Sequence, residues 1–152
     1  MGRILNRSEL QKVVDRLRAE GRKIVFTNGC FDIIHIGHIR YLKEAKSLGE
    51  TLIVGLNSDR SVSLIKPDRP VNPQDQRAEV LASLEMVDYV TIFEEETPYE
   101  LIRLLQPDVL VKGGDWKKED IVGSDMATET LSLPYVQGVS TTEIIDRIKR
   151  LS

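Results

Sequence analysis

Thr27-Asn28-Gly29-Cys30-Phe31-Asp32-Ile33-Ile34-His35-Ile36-Gly37-His38 is the stretch on which the reading of this chain turns. It follows an apolar, strand-like run at 23–26 and sets a glycine turn ahead of two histidines separated by two residues. In an open α/β sheet, this is where a strand end presents a ligand to the N-terminus of the following helix. Both histidines of the chain lie in this one segment. The concentration reads as a site for nucleotide phosphates.

Outward from this segment, strand-like runs fall at 23–27, 51–56, 87–93 and 108–112, with a fifth, less regular, at 131–136. Helical stretches fall between them. A first helix opens at Ser8-Glu9-Leu10-Gln11, which has the form of a capping box. It carries Leu10, Val13, Val14 and Leu17 on one face and stops at Gly21. A second runs from Gly37 to Gly49, and a third takes Asn72 as cap and Pro73 as its first residue, continuing through Leu84. Thr97-Pro98-Tyr99-Glu100 opens a fourth, and Ser140-Thr141-Thr142-Glu143 opens the last, with Ile144, Ile145, Ile148 and Leu151 on its apolar side. Alternating strands and helices imply right-handed crossovers and a mostly parallel sheet covered on both faces. The irregular stretches 58–72 and 113–130 are long for a compact domain, which points to function rather than mere connection.

The bulk numbers fit this plan. At 152 residues, 41% hydrophobic and 30% charged, the chain suits one globular domain, residues 1–152, with the N-terminal helix of 1–21 packed on it. A net charge of -3 argues against a broad nucleic-acid footprint while leaving room for a small basic pocket. The single cysteine, Cys30, excludes an internal disulfide and a four-cysteine zinc site. The first residues resemble no secretory leader, and no apolar run reaches bilayer length, so a cytoplasmic protein without membrane insertion is expected.

Residue chemistry leaves several roles open. Asn28 and Gly29 sit where the chain must turn, letting backbone amides approach an anion, and Gly37 again permits close approach. His35 and His38 share a face once the chain is helical, and imidazoles donate hydrogen bonds to phosphate. The competing readings are a pair that caps or packs, or a metal site, for which His-x-x-His with no third ligand is poor support. Lys66 and Arg69 are by pattern ordinary surface cations. Arg77 stands in the first turns of its helix, where the macrodipole does not favour a cation, which hints at a task such as holding an acceptor phosphate. Lys112-Gly113-Gly114-Asp115-Trp116 leaves the fourth strand at the carboxyl edge. The glycines there allow a flat base to approach and Asp115 can accept its hydrogen bonds, although a plain turn explains Asp115 and Trp116 equally well. Ser140, Thr141 and Thr142 supply more hydroxyls than a cap requires, as a second phosphate-binding helix start would. Asp32 either meets the acceptor or orders the site, and Cys30 reads as a small buried residue.

Taken in order, the motifs resemble a family. His35-Ile36-Gly37-His38 after Gly29-Cys30-Phe31-Asp32 is similar to the HxGH signature of the nucleotidyltransferase superfamily. The likeness continues through Gly55-Leu56-Asn57-Ser58-Asp59, Arg69-Pro70-Val71-Asn72, Gln76-Arg77, Val87-Asp88, the run from Pro107 to Asp115, and Ser140-Thr141-Thr142. Together these resemble the adenylyltransferase domain of the heptose-phosphate enzymes that make ADP-heptose for lipopolysaccharide. The resemblance implies a Rossmann-like, open, mostly parallel five-stranded α/β sheet in the order 3-2-1-4-5, with helices on both faces.

It also implies transfer of an adenylyl group from ATP to a sugar 1-phosphate, D-glycero-β-D-manno-heptose 1-phosphate, with release of pyrophosphate. Mg²⁺ would arrive with the triphosphate, a separate sugar kinase and phosphatase would complete the pathway, and a homo-oligomer is in keeping with the superfamily. His35, His38 and Lys66 become the catalytic set, Lys66 as a mobile-loop lysine. Thr27, Asn28, Gly29, Cys30, Phe31, Gly37, Lys112, Gly113, Gly114, Asp115, Ser140, Thr141 and Thr142 bind nucleotide. Asp32, Arg69 and Arg77 bind the acceptor, and no residue is expected to hold a resident metal.

Two departures bear on specificity. Ile145 stands where the superfamily often has an arginine, as suits its sugar-phosphate branch, and the segment 125–139 is shorter than in heptose adenylyltransferases. A cytidylyltransferase for glycerol 3-phosphate or a related alcohol phosphate is the alternative, and a non-catalytic nucleotide sensor a more remote one. A class I aminoacyl-tRNA synthetase fragment shares the letters His-Ile-Gly-His but fails on size and on the lack of a basic surface.

Overall fold

A computed structural model describes residues 2–152. Its six strands form one parallel sheet in the order β1-β4-β3-β2-β5-β6, where β1 is Arg3–Ile4, β2 Ile24–Gly29, β3 Thr51–Asn57, β4 Tyr89–Phe93, β5 Val109–Gly113 and β6 Glu129–Leu133. The five expected strands stand in the expected order. The sixth, β1, is a two-residue strand beside β4, with Arg3 in register with Tyr89. So short a run has no periodicity to announce it in sequence.

The helices are α1 Arg7–Ala19, α2 Ile36–Ser47, α3 Asp59–Ile65, α4 Gln74–Ala82, α5 Tyr99–Leu105 and α6 Thr141–Arg150. The strands alternate sides as they cross the core. Val25, Leu52, Val54 and Val111 face one cluster with Leu42 and Ala45 of α2 and Ala78 and Leu81 of α4. Ile24, Phe26, Ile53 and Leu110 face the other, with Leu10, Val13, Val14 and Leu17 of α1 and Leu101, Ile102 and Leu105 of α5. Both faces are therefore dry, which explains why the central strands read as continuous apolar runs. Each fully buried leucine contributes about 1.5–3 kcal/mol of transfer free energy.

Several boundaries differ from the sequence reading. Asn6, not Ser8, caps α1: its side chain accepts from Glu9 N at 2.8 Å and Glu9 returns a bond to Asn6 N at 3.0 Å. The box is thus shifted by two residues, since Asn6 serves as well as serine at this position. Pro73 rather than Asn72 occupies the cap of α4, and Pro98 rather than Thr97 that of α5; neither gives a side-chain cap bond. The stretch 58–72 contains α3, capped by Ser58, whose Oγ accepts from Ser61 N at 3.1 Å. The fifth expected strand begins earlier, as Glu129–Leu133.

Order β4-β3-β2-β5-β6 makes β2 the point where the chain reverses its direction of travel across the sheet. The first crossovers lead from β2 to β3 and β4, and β5 then returns to the other side of β2. A crevice opens at such a switch point beyond the carboxyl ends of the strands. Tyr41 bridges the two strands that flank this point. Its hydroxyl pairs with Thr27 Oγ1 of β2 and donates to Val111 O of β5 at 3.2 Å. Burial pushes the Tyr41 phenol well above its ordinary pKa, so it remains a neutral donor.

Candidate active site

β2 ends at Gly29, and the chain then makes an unusual turn. Phe31 adopts φ 44°, a left-handed conformation that costs an aromatic residue free energy, yet its ring is buried. The ring packs 5.3 Å from that of His38, centroid to centroid, so the strained turn supports the histidine directly. Gly29 permits this, because a Cβ there would stand 3.0 Å from the Phe31 ring.

His35 caps α2 and His38 lies at its third residue. His35 Nδ1 accepts from Gly37 N at 3.1 Å, and His35 N donates to His38 Nδ1 at 3.2 Å. The two imidazoles thereby form a reciprocal capping box, and the rings stack at 3.9 Å with 29° between planes. With each Nδ1 accepting an amide hydrogen, each neutral ring carries its proton on Nε2. Capping uses Nδ1 and leaves Nε2–H to donate, so the capping and phosphate-binding readings of this pair are compatible. Gly37 has an ordinary φ; its need is space, since a Cβ would lie 2.9 Å from His35 Cε1.

Burial lowers the His35 pKa, and burial, then His35, then the Lys66 charge bring that of His38 down to about 4. Both rings are neutral donors near pH 7. The helix end behind them is unscreened. α1, α3, α4, α5 and α6 each carry an acidic residue in the first turn, and α2 carries none. A bare positive helix end suits an anion. This missing acid was a signal available in the sequence that the motif reading did not use.

α6 reaches the same place from the far side of the sheet. Thr141 Oγ1 donates to Ile33 O at 3.3 Å, and Val139 Cγ1 comes within 3.8 Å of a Cβ position on Gly37. Ser140 caps the helix, accepting from Glu143 N at 3.0 Å, while Thr142 is exposed. Two helix N-termini therefore converge beside the histidines, although they are about a hundred residues apart in the chain. Lys66 caps the C-terminus of α3 and is exposed. Its charge lowers the pKa of Lys112, after burial, and opposes the rise that burial imposes on Cys30. Asn28, Arg69 and Lys112 are half-buried, and Asp115 is exposed past Gly114. Gly114 has φ +114°, which requires glycine.

Three residues hold other posts than those expected. Arg77, expected at the acceptor phosphate, is only 1% exposed and its guanidinium is engaged on all sides. Nε donates to Asn72 O at 2.8 Å, Nη1 to Cys30 O at 2.7 Å and Asn57 O at 2.9 Å, and Nη2 to Asp59 Oδ1 at 2.8 Å. Only a side chain with several donors in a fixed fork can tie the turn after β2, the end of β3 and the loop before α4 together. Asp32 uses both oxygens to accept from Val71 N and Asn72 N, each at 2.8 Å, so it orders the 70–72 loop rather than offering a free carboxylate. Thr27 is fully buried and its hydroxyl pairs with Tyr41, so that side chain is engaged in shaping the strand end.

Among the described residues, no three His, Cys, Asp or Glu side chains converge as a metal site, and no helix is long and apolar enough to cross a membrane.

Comparison with known proteins agrees with this geometry. The cytidylyltransferase-like family matches residues 26–147. The bifunctional protein HldE of Nitratiruptor sp. is 57% identical over 142 residues, 93% of this chain, and that of Wolinella succinogenes 55% over 148 residues, 97% of this chain. This chain spans 31% of each of those relatives, about a third of their length. Among solved structures, the lipopolysaccharide core biosynthesis protein of Thermoplasma volcanium superposes with a TM-score of 0.67 at 27% identity, over 77% of this chain and all of that one. The pantoate-β-alanine ligase of Francisella tularensis shares the fold at a TM-score of 0.62 and 18% identity, over 98% of this chain and 77% of that one. By its match over most of its length, by the switch point in its sheet and by its paired histidines, this chain belongs to the cytidylyltransferase-like family of nucleotidyltransferases.

Proposed function

We propose that the protein transfers an adenylyl group from ATP to a sugar 1-phosphate, D-glycero-β-D-manno-heptose 1-phosphate, forming ADP-heptose and pyrophosphate. The observation that carries the reading is the convergence of two helix N-termini on a stacked pair of Nε2–H donors. That array suits a transferring phosphate group and needs no protein nucleophile. A phosphate monoester has a second pKa of about 6, so its oxygen is already largely anionic near pH 7. This oxygen attacks the α-phosphorus, the bond from that phosphorus to the bridging oxygen breaks, and pyrophosphate leaves with the electron pair.

His35 and His38 lie where charge accumulates on the transferring and leaving groups. As rigid neutral donors fixed through Nδ1, they stabilise that charge with little reorganisation. The amides of α2 and the hydroxyl-bearing start of α6 hold the rest of the triphosphate. Lys66, exposed on the loop after α3, supplies the cation that closes over it. Arg77 and Asp32 act one layer behind, setting the position of the loops that meet the acceptor. Mg²⁺ would arrive with the nucleotide substrate and would supply charge neutralisation to its phosphates. With no converging ligand set among the described residues, no step is assigned to a resident ion. The reading suits the likeness to HldE proteins and to a lipopolysaccharide core biosynthesis protein.

Pyrophosphate release with ATP, CTP, GTP and UTP, each with heptose 1-phosphate and with glycerol 3-phosphate, tests the assignment. Turnover specific to ATP and heptose 1-phosphate is expected. Turnover with CTP and glycerol 3-phosphate instead, or ATP binding with no release in any combination, overturns it.

A further inference from the structure

The second half of α6 is left uncovered. Ile144 and Ile145 are half-buried, but Ile148 is 57% exposed and Leu151, the residue that caps the helix, 86%. No residue of α6 is buried. Among the described residues, its one side-chain hydrogen bond to the rest of the chain is that of Thr141 to Ile33 O, at its start. Arg147, Lys149 and Arg150 lie on the same uncovered half, all exposed and none in an ion pair among the described residues. The macrodipole accounts for cations at a helix end, but not for the two open aliphatics between them. An apolar stripe this exposed, rimmed by charge, marks an interaction surface.

The same chain carries a counterpart. Leu64 of α3 lines an open groove of about 320 Å³ with Arg60 and with Glu94, Glu95 and Glu96, the three residues that follow β4. Leu64 is exposed, as is Ile65 beside it. Arg7 pairs with Glu95 at 2.6 Å, while Glu94 and Glu96 are exposed and have no ion-pair partner among the described residues. Like charges held side by side repel, so this acidic run gains from a cationic partner. No residue of α6 lines the groove within one chain. The groove presents apolar and acidic groups where α6 presents apolar and basic ones.

We propose that α6 of one copy of this chain docks in the groove between α3 and the Glu94-Glu95-Glu96 run of a second copy, and reciprocally, forming a two-fold dimer. Ile148 and Leu151 cover Leu64, and Arg147, Lys149 and Arg150 face Glu94 and Glu96. Reciprocal exchange uses each surface once and leaves none free to propagate, so the assembly closes at two copies. An anionic membrane is the other surface that suits an apolar and basic helix. Glu143 and Asp146 on the same helix and the chain's net charge of -3 oppose that occupant. The dimer does not depend on the proposed reaction.

Sedimentation velocity from low micromolar to several hundred micromolar is expected to show a monomer–dimer equilibrium that weakens in high salt. Lys149→Glu with Arg150→Glu, and separately Glu94→Lys with Glu96→Lys, should each give a monomer over that range. An equimolar mixture of these two variants has complementary charge at both contacts and is expected to dimerise again. Leu151→Ser, at a position too exposed for folding to depend on it, should raise the dimer Kd about tenfold or more. A monomeric wild type across the whole range, charge variants that dimerise like the wild type, or a mixture that stays monomeric overturns the proposal. So does a species that keeps growing with concentration, which would be an open chain of copies. Binding of monomeric wild type to phosphatidylserine vesicles would assign the α6 surface to a membrane instead.

Discussion

At the histidine pair, Nδ1 of each ring completes the cap of α2 and leaves the proton on Nε2. The proposed function gives that Nε2–H its task. His35→Ala or His38→Ala should lower kcat by roughly a hundredfold or more, as loss of a transition-state donor does. Steady-state kinetics checks this, and near-normal turnover in both variants would refute the role. The same burial makes a pH prediction. The His38 pKa falls from 6.5 in the unfolded chain to about 4 in the folded one, so between these values the unfolded chain binds more protons. The contribution is therefore present above about pH 6.5 and is lost as pH falls towards 4. Urea midpoints at pH 7 and pH 5 should differ more for the wild type than for His38→Gln. An equal drop in both would show that other groups govern the acid limb.

The elements around the site are positioned by polar side chains acting across loops. Arg77 on α4 binds carbonyls from three separate segments, and Asp32 binds two amides of the 70–72 loop. Arg77→Met keeps much of the apolar stem but leaves Asn72, Cys30 and Asn57 carbonyls without their donors. It should destabilise the protein by about 3 kcal/mol or more, read by chemical denaturation. A loss below about 1 kcal/mol would mean that water replaces the guanidinium. If Arg77 instead bound the acceptor phosphate, the variant would keep its stability and show only a raised acceptor KM. The sequence pointed to Arg77 as a cation misplaced against its helix dipole, and that signal was sound. Its destination was not legible, because the carbonyls it meets lie up to 47 residues away. The caps show the same limit on a smaller scale: Asn6, Ser8 and Thr97 all have capping chemistry, and tertiary packing chooses the register.

Across the whole molecule, the sheet separates stability from catalysis. Leu10 of α1 is fully buried in the cluster that α1 and α5 make with the sheet, remote in sequence from every site residue. Leu10→Ala should cost about 2–5 kcal/mol of stability, measured by thermal or urea unfolding. KM values at 25 °C should stay as in the wild type, because the crevice lies at the carboxyl edge; a shifted KM would show that the α1 face is coupled to the site.

Strand positions and their parallel arrangement were readable from local order, as was the paired-histidine turn after β2, because periodicity and glycine turns are written in contiguous residues. The family resemblance added the strand order. The two-residue strand β1 is too short to leave a pattern, and helix α3 lay inside a stretch read as irregular. Nor were the posts of Tyr41 and Arg77 readable, each of which depends on partners from another segment. The sequence by itself therefore determined the architecture and which segment is the candidate for holding phosphates. Only the tertiary structure decided which of the candidate side chains face that site and which hold it in shape, since burial and hydrogen-bond partners exist only once distant segments have been packed together.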